Sequence, residues 1–301
     1  MSLKVNTLYK KFGNKVAVDN ISFEVNSPGV FGLIGTNGAG KTTTIRMILG
    51  ILAADSGSAT WNDKAIARDT LDYGYLPEER GVYMRTKVLE QLVYFGMLRG
   101  MNKTDATKSS LSILNRLEIS EYKNMTAEKL SKGNQQKVQI ASTLVHNPKL
   151  IFLDEPFSGL DPLNAEALRT LIRELASEGK FIIMSSHQMK VVEEYCEDLV
   201  MLHRSKTILS GKLRDIKGSY GHTNLIIRTD SDVHEIAQSS GLELIENRAN
   251  ESEYKIKGTL MANEFLSKLI KSGIYPLKYE IKEPSLHEIF IEKAGMGGEE
   301  A

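Results

Sequence analysis

The sequence lacks any run of about 18 consecutive apolar residues, so no segment of its 301 residues is long enough to cross a bilayer as a helix. It has no excess of either charge: Lys plus Arg and Asp plus Glu are both 38. A balanced chain has no broad basic face to grip phosphate backbones, so no nucleic-acid partner is expected. The single cysteine, Cys196, rules out an internal disulfide. It lies in "VVEEYCEDLVML", where a helix should give way to a strand, and it reads as a packed thiol. The first residues, "MSLKVNTLYKKFG", lack the apolar core of an export signal. There is no internal repeat, no heptad run and no low-complexity segment; only "GMGGEEA" at the far end is expected to fray. These absences point to a cytoplasmic protein. What the chain does have is 41% hydrophobic residues, enough for one large core and a smaller second one, hence two domains.

Hydrophobic periodicity orders the elements. Val18, Ile21, Phe23 and Val25 alternate with polar residues as a half-buried strand, Ser27-Pro28-Gly29 is a turn, and "VFGLIG" is a buried parallel strand. "TTTIRMILGIL" has helical spacing, and "SGSATWNDKAI" reads as turn, strand, turn. Three amphipathic helices are expected in "KVLEQLVYFGMLRGM", "TDATKSSLSILNRLEI" and "NQQKVQIASTLVHN". Then come strand "KLIFLDEP", helix "NAEALRTLIRELASEG", strand "KFIIMSSH", helix "QMKVVEEYCEDL" and a strand hairpin in "VMLHRSKTILSG". Alternating strands and helices imply a mostly parallel sheet. The composition shifts between Gly211 and Gly221. Beyond it the order is β-α-β-β-α-β, the pattern of a split βαβ, ferredoxin-like module, closed by the helix "SLHEIFIEKAG".

Chemistry gathers at the strand ends. "GTNGAGKT" comprises Gly35, Thr36, Asn37, Gly38, Ala39, Gly40, Lys41 and Thr42, with Thr43 next. It follows an apolar strand and opens a helix, as a phosphate-binding loop must. Its glycines let backbone N–H groups curl toward phosphate, and the helix N-terminus adds a positive dipole end. Lys41 can reach the β- and γ-phosphates, and the Thr42 hydroxyl can bind Mg²⁺. "LIFLDEP" puts two acids at a strand's carboxyl end, where open parallel sheets bind ligands. Neighbours on a strand face opposite sides, so Asp154 can turn to the metal while Glu155 orients the attacking water and accepts its proton. "SSH" brings His187 to the same edge, where it can contact the γ-phosphate. "LSKGNQQK" has Ser131 as a helix cap followed by long polar side chains; taken alone it is no more than a surface helix entrance.

Taken in order, "GTNGAGKT", "LSKGNQQK", "LIFLDEP", "SGLD" and "SSH" resemble the motifs of the ATP-binding-cassette family, and of a transporter's ATP-hydrolysing subunit in particular, over residues 3–215. The resemblance implies an α/β fold: a P-loop NTPase core with a mostly parallel sheet, a small antiparallel β subdomain and a helical subdomain near 85–145. Residues 1–215 would form the ATPase domain and 216–301 a C-terminal α+β ferredoxin-like domain. It also implies ATP and Mg²⁺, with Glu155, His187 and Lys41 catalytic, and an adenine platform that "KKFG" places at Phe12, with Tyr9 as the alternative. Ser131, Lys132 and Gly133 would face the ATP held by a second copy in a head-to-tail dimer. Two departures stand out. Lys132 and Asn134 replace the family's usual glycine and glutamine, and Glu78, in "YGYLPEERGVY", replaces its loop glutamine. Glu78 can still meet metal or water, but it adds negative charge unless the metal or Arg80 offsets it. "SGLD" resembles the loop that crosses the dimer to the other site; Asp161 before Pro162 equally suits a helix cap, and the two roles are compatible.

With no spanning segment, a separate transmembrane permease is expected as partner, holding the chain on the inner face of the membrane. It would dock beside the Glu78 loop, on the helical insertion. "LPEERGVY", "SKGNQQK" and the tail "PSLHEIFIEKAG" resemble the branch that serves ABC-2-type permeases, mostly exporters. The rival expectation is a soluble repair or translation ATPase built on the same cassette. A third is a nucleotide-binding module without turnover, which the joint presence of Glu155 and His187 disfavours.

Overall fold

The computed structural model describes residues 1–66, 72–79, 81–248 and 251–296; Arg80 and the 297–301 terminus lie outside them. The chain divides into two compact units, Met1–Ser210 and Gly211–Ala301.

The first unit begins with β1 (Leu3–Phe12), β2 (Lys15–Val25), β3 (Gly29–Gly35), α1 (Lys41–Ile48), β4 (Ser56–Trp61), β5 (Lys64–Ala65) and β6 (Tyr73–Leu76). Three helices follow: α2 (Val88–Leu98), α3 (Lys103–Arg116) and α4 (Lys132–Leu144). Next are β7 (Leu150–Asp154), α5 (Pro162–Ser177), β8 (Phe181–Ser186), α6 (Met189–Tyr195), β9 (Asp198–His203) and β10 (Lys206–Lys212). A six-stranded sheet runs in the order β10-β9-β3-β8-β7-β6. Its β9–β3, β3–β8, β8–β7 and β7–β6 pairs are all parallel. Every residue of β7 and β8 is buried, as the uninterrupted apolar runs of a covered parallel sheet require. The parallel order has a direct consequence for chemistry. The loops leaving Gly35, Leu76, Asp154 and Ser186 all emerge at one edge.

A second, antiparallel sheet has the order β2-β1-β4-β5. The spacing from Val18 to Ile21 is three rather than two, yet both are buried. Asn20 takes a left-handed φ of 52°, and the β1–β2 register shifts between Leu8 and Lys10, so the strand resets its phase there. One core joins the two sheets, with Phe23 stacked on Phe31 at 5.0 Å and Trp61 edge-on to Phe181 at 5.0 Å. The helix expected over 42–52 ends at Ile48, ahead of Gly50 at φ 65°. The helix expected over 188–199 stops at Tyr195, because Asp198–Leu202 is drawn into parallel pairing with Phe31–Gly35.

The second unit contains α7 (Leu213–Tyr220), β11 (Asn224–Arg228), α8 (His234–Ser239), β12 (Glu243–Arg248), β13 (Glu251–Lys255), α9 (Thr259–Lys271), β14 (Lys278–Lys282) and α10 (Leu286–Met296). The sheet order is β12-β13-β11-β14, with every neighbouring pair antiparallel. Each helix-linked strand pair is therefore split by one intervening strand, the ferredoxin-like arrangement. Its core is its own, built on Leu225, Ile227, Tyr254, Phe265 and Leu269. A partly buried polar knot ties α10 to the sheet: Asn224 Nδ2 donates to Glu253 Oε1 at 2.8 Å and to Glu288 Oε1 at 2.9 Å, while the Ser285 N–H donates to Glu288 Oε2 at 2.8 Å.

Candidate functional site

Between the end of β3 and the start of α1 the chain must reverse over residues 36–40. Gly40 makes this possible at φ 103°, where a Cβ would come 2.5 Å from the Ala17 carbonyl oxygen; only glycine fits. No side chain caps α1, and its first turn holds no acid, so its leading N–H groups suit an anion. Lys41 is 6% exposed and folds back over the loop. Its Nζ donates to Gly35 O at 2.8 Å and to Thr36 O at 3.3 Å.

Asp154 ends β7 directly opposite Ser185 of β8. The Ser185 hydroxyl donates a short hydrogen bond to Asp154 Oδ1 and accepts one from the Glu155 N–H at 3.1 Å. Burial pushes the Asp154 carboxyl above its ordinary range, against the opposing hydrogen bonds of Ser185 and Thr42. Its Oδ2 is buried and has no partner in good hydrogen-bonding geometry. An under-satisfied buried carboxylate beside a threonine hydroxyl fits Mg²⁺, which is commonly held by one or two carboxylates together with phosphate oxygens and water. Among the described residues no group of three or more His, Cys, Asp or Glu is arranged to hold a metal alone. The fit is therefore to an ion that shares its ligands with a bound phosphate.

Glu155 adopts a left-handed φ of 51°, a costly conformation outside glycine. That turn separates its carboxylate from Asp154. Glu155 Oε2 lies 2.9 Å from His187 Nδ1, and Oε1 lies 3.3 Å from Lys41 Nζ at ion-pair distance without hydrogen-bond geometry. Lys41, Glu155 and His187, which follow three different strands, thus meet at one point.

A cleft of about 500 Å³ opens beside Lys41 and Glu155; His187 and Asp154 do not line it and connect to it through Glu155 and Ser185. Of the residues expected from sequence, it is lined by Phe12, Asn37, Gly38, Gly40, Lys41, Thr42, Thr43, Glu78 and Glu155. Phe12 is 50% exposed at the rim. Tyr9 does not line the cleft; it pairs with Ser56 across the β1–β4 ladder. Gly35 and Thr36 act through the carbonyls that hold Lys41, and Ala39 is buried in the core beneath the loop. Three contributors were not evident from the sequence. Lys15 and Ala17 line the rim next to Phe12, brought there by the tight hairpin at Gly13. Ser185 orients both acids, and its pairing opposite Asp154 was the signal that only register could supply.

Ser131, Lys132, Gly133 and Asp161 do not line this cleft. Ser131 caps α4, its Oγ accepting from the Asn134 N–H at 3.3 Å, and Lys132 is exposed. Gly133 is buried because Asn164 fills the space of its missing side chain: a Cβ there would sit 2.3 Å from Asn164 Nδ2. Asp161 caps α5, Oδ1 accepting from the Asn164 N–H at 3.0 Å. Near the Glu78 loop lies an aromatic group: Tyr83 and Tyr94 are 51% and 50% exposed, and the Tyr83 ring stacks on Phe95 at 5.6 Å. Among the described residues, no helix is long and apolar enough to cross a membrane.

Comparison with known proteins identifies relatives over both units. A family model described as ABC transporter matches residues 18–158, and one described as ATP-binding protein DrrA1-3-like, C-terminal domain, matches 211–294. The ABC transporter ATP-binding protein YhaQ of Bacillus subtilis (strain 168) is 43% identical over 97% of this chain and 98% of its own length. The linearmycin resistance ATP-binding protein LnrL of the same organism is 28% identical over 97% of this chain and 98% of that protein. A solved structure titled as the ATP binding subunit of an ABC transporter superposes with a TM-score of 0.67 at 29% identity, covering 73% of this chain and 93% of that one.

Proposed function

Because the chain belongs to the ABC transporter family, as an ATP-binding subunit, we propose that it hydrolyses ATP and drives a separate membrane permease. The observation that carries this reading is the meeting of Lys41, Glu155 and His187 beneath a phosphate-binding loop. In the proposed reaction, Phe12 stacks on the adenine, and the N–H groups of residues 36–42 with Lys41 hold the phosphates. Glu155 orients the attacking water and takes its proton; His187, bonded to Glu155, fixes that carboxylate and reaches the terminal phosphate. Thr42 and Asp154, with Glu78 close by, would hold Mg²⁺, which when bound neutralises the charge developing on the phosphates.

Ser131, Lys132 and Gly133 stand away from their own cleft, which supports a role opposite the ATP of a second copy, two nucleotides joining two chains head to tail. The exposed Tyr83 and Tyr94, adjoining the Glu78 loop, suit a permease segment that docks on the inner face of the membrane. Export is favoured over import on the likeness to a resistance protein and on the DrrA1-3-like second unit. Steady-state hydrolysis by the wild type and by Glu155→Gln tests the catalytic assignment. The variant is expected to lose at least about a hundredfold in kcat; equal rates would defeat the reading. Co-purification with a polytopic membrane protein tests the partnership, and recovery of the chain only as a free protein from membranes containing its permease would count against it.

A further inference from the structure

Helix α4 carries three glutamines near its start, and a surface helix has no need of them. In the structure all three face the protein and grip backbone. Gln135 Nε2 donates to Ala127 O and Leu130 O, and so closes the turn that leads into the helix itself. Gln136 Nε2 donates to Pro156 O at 2.7 Å, one residue past Glu155. Gln139, 5% exposed, reaches across to the loop after β6. Its Nε2 donates to Glu79 O at 2.9 Å and, more weakly, to Pro77 O at 3.4 Å.

Those two carbonyls flank Glu78. The Glu78 side chain lines the nucleotide cleft but makes no hydrogen bond or ion pair among the described residues. Pro77, Glu78 and Glu79 likewise make no backbone–backbone hydrogen bond among the described residues. What locates the Glu78 carboxylate is therefore its backbone, and among the described residues the hydrogen bonds that reach that stretch of backbone come from the Gln139 amide of α4. We propose that Gln139 is a positioning residue for the hydrolysis reaction: its amide holds the carbonyls of Pro77 and Glu79, the residues on either side of Glu78, and so fixes the carboxylate at the cleft. The inference rests on the reading of Glu78 as a working member of that cleft. It gives α4 a second task beside its N-terminal Ser131, since one rigid helix then holds the loop of Glu78 through Gln139 and the loop after Glu155 through Gln136.

The test uses the full chain and four variants: Gln139→Met, similar in length but without the donor; Gln139→Asn, which keeps the amide but shortens its reach; Glu78→Ala; and the double variant Gln139→Met/Glu78→Ala. ATPase kinetics are measured with Mg²⁺, and nucleotide affinity is measured separately in EDTA. Loss of one such hydrogen bond should lower kcat about fivefold to tenfold in Gln139→Met, and by a similar factor in Gln139→Asn. Affinity in EDTA should stay within about twofold of wild type, since the phosphate loop and Phe12 are untouched. In the Glu78→Ala background the same Gln139→Met change should cost less than about twofold, because nothing remains to be positioned. Equal losses in both backgrounds, a parallel loss of affinity in EDTA, or a wild-type kcat in Gln139→Met would each overturn the proposal while leaving Glu78's own role standing. A wild-type kcat in Glu78→Ala would instead remove the reading of Glu78, and the inference with it.

Discussion

At Asp154 the proposed metal chemistry calls for a charge where the fold would favour a neutral group. Burial raises the carboxyl above its ordinary range, so ionisation at neutral pH costs folding stability. The sign follows from linkage: with the folded value above the unfolded one, the cost is full above the folded pKa and fades as pH falls through it. Asp154→Asn is therefore expected to raise the Tm of the nucleotide-free protein at pH 7 by about 2–4 °C and to abolish Mg²⁺-dependent hydrolysis. Thermal melts with and without Mg·ATP check both, and a lower Tm in the variant would contradict the account. Phe12 makes a simpler residue-scale case. Half exposed at the rim, it contributes little to the core, so Phe12→Ala should leave Tm nearly unchanged. It should weaken ATP binding about tenfold, whereas Phe12→Tyr should bind like the wild type. Nucleotide titration by fluorescence separates the two variants.

At the scale of elements, the turn from β3 into α1 tolerates no side chain at Gly40. Gly40→Ala would drive a methyl into the Ala17 carbonyl at φ 103°, so it should abolish nucleotide binding and lower Tm, as calorimetry and titration would show together. This turn, the acids after β7 and the histidine after β8 were legible in the sequence because each is a short motif attached to an apolar strand. Other elements were not, for identifiable reasons. In β1 the alternation of Leu3 and Val5 fails at Leu8, because Thr7 takes a φ of 45° and the register with β2 slips there. A period-of-two search passes over such a strand, and with it the hairpin that brings Lys15 and Ala17 to the cleft. Gln139 was hidden for a different reason. On a helix a glutamine reads as surface, and only the packed structure reveals the two carbonyls it serves. Asn164, which no motif singled out, lies against both Gly133 and Asp161 within one chain.

At the scale of the molecule, two units with separate cores should melt separately. Scanning calorimetry is expected to resolve two transitions, with Mg·ATP raising only that of the first unit, because all residues lining the cleft lie within Met1–Ser210. A single transition shifted as a whole would refute independence. Acid distinguishes the units further. Burial would raise the Glu288 carboxyl, but hydrogen bonds from Asn224 and Ser285, with Lys255 close by, outweigh it and hold the group below its ordinary value. A depressed folded pKa contributes stability above the unfolded value, and that contribution is lost as pH falls through the folded one. The second transition should therefore drop on acidification, and Glu288→Gln should flatten that slope.

The strand order also constrains how the protein can be made. The strand that delivers the phosphate loop, β3, pairs only with β8 and β9, both encoded far downstream. While the ribosome is still working through the three-helix insertion, Gly29–Gly35 has no partner strand in its own sheet, and the loop it carries can lean only on the upstream hairpin at Ala17 and Phe23. That sheet can close only after Phe181–Ser186 has left the exit tunnel and slotted in beside it, so a fragment ending short of that strand is expected to bind ATP far more weakly than the whole chain, as nucleotide titration of the truncated protein would show.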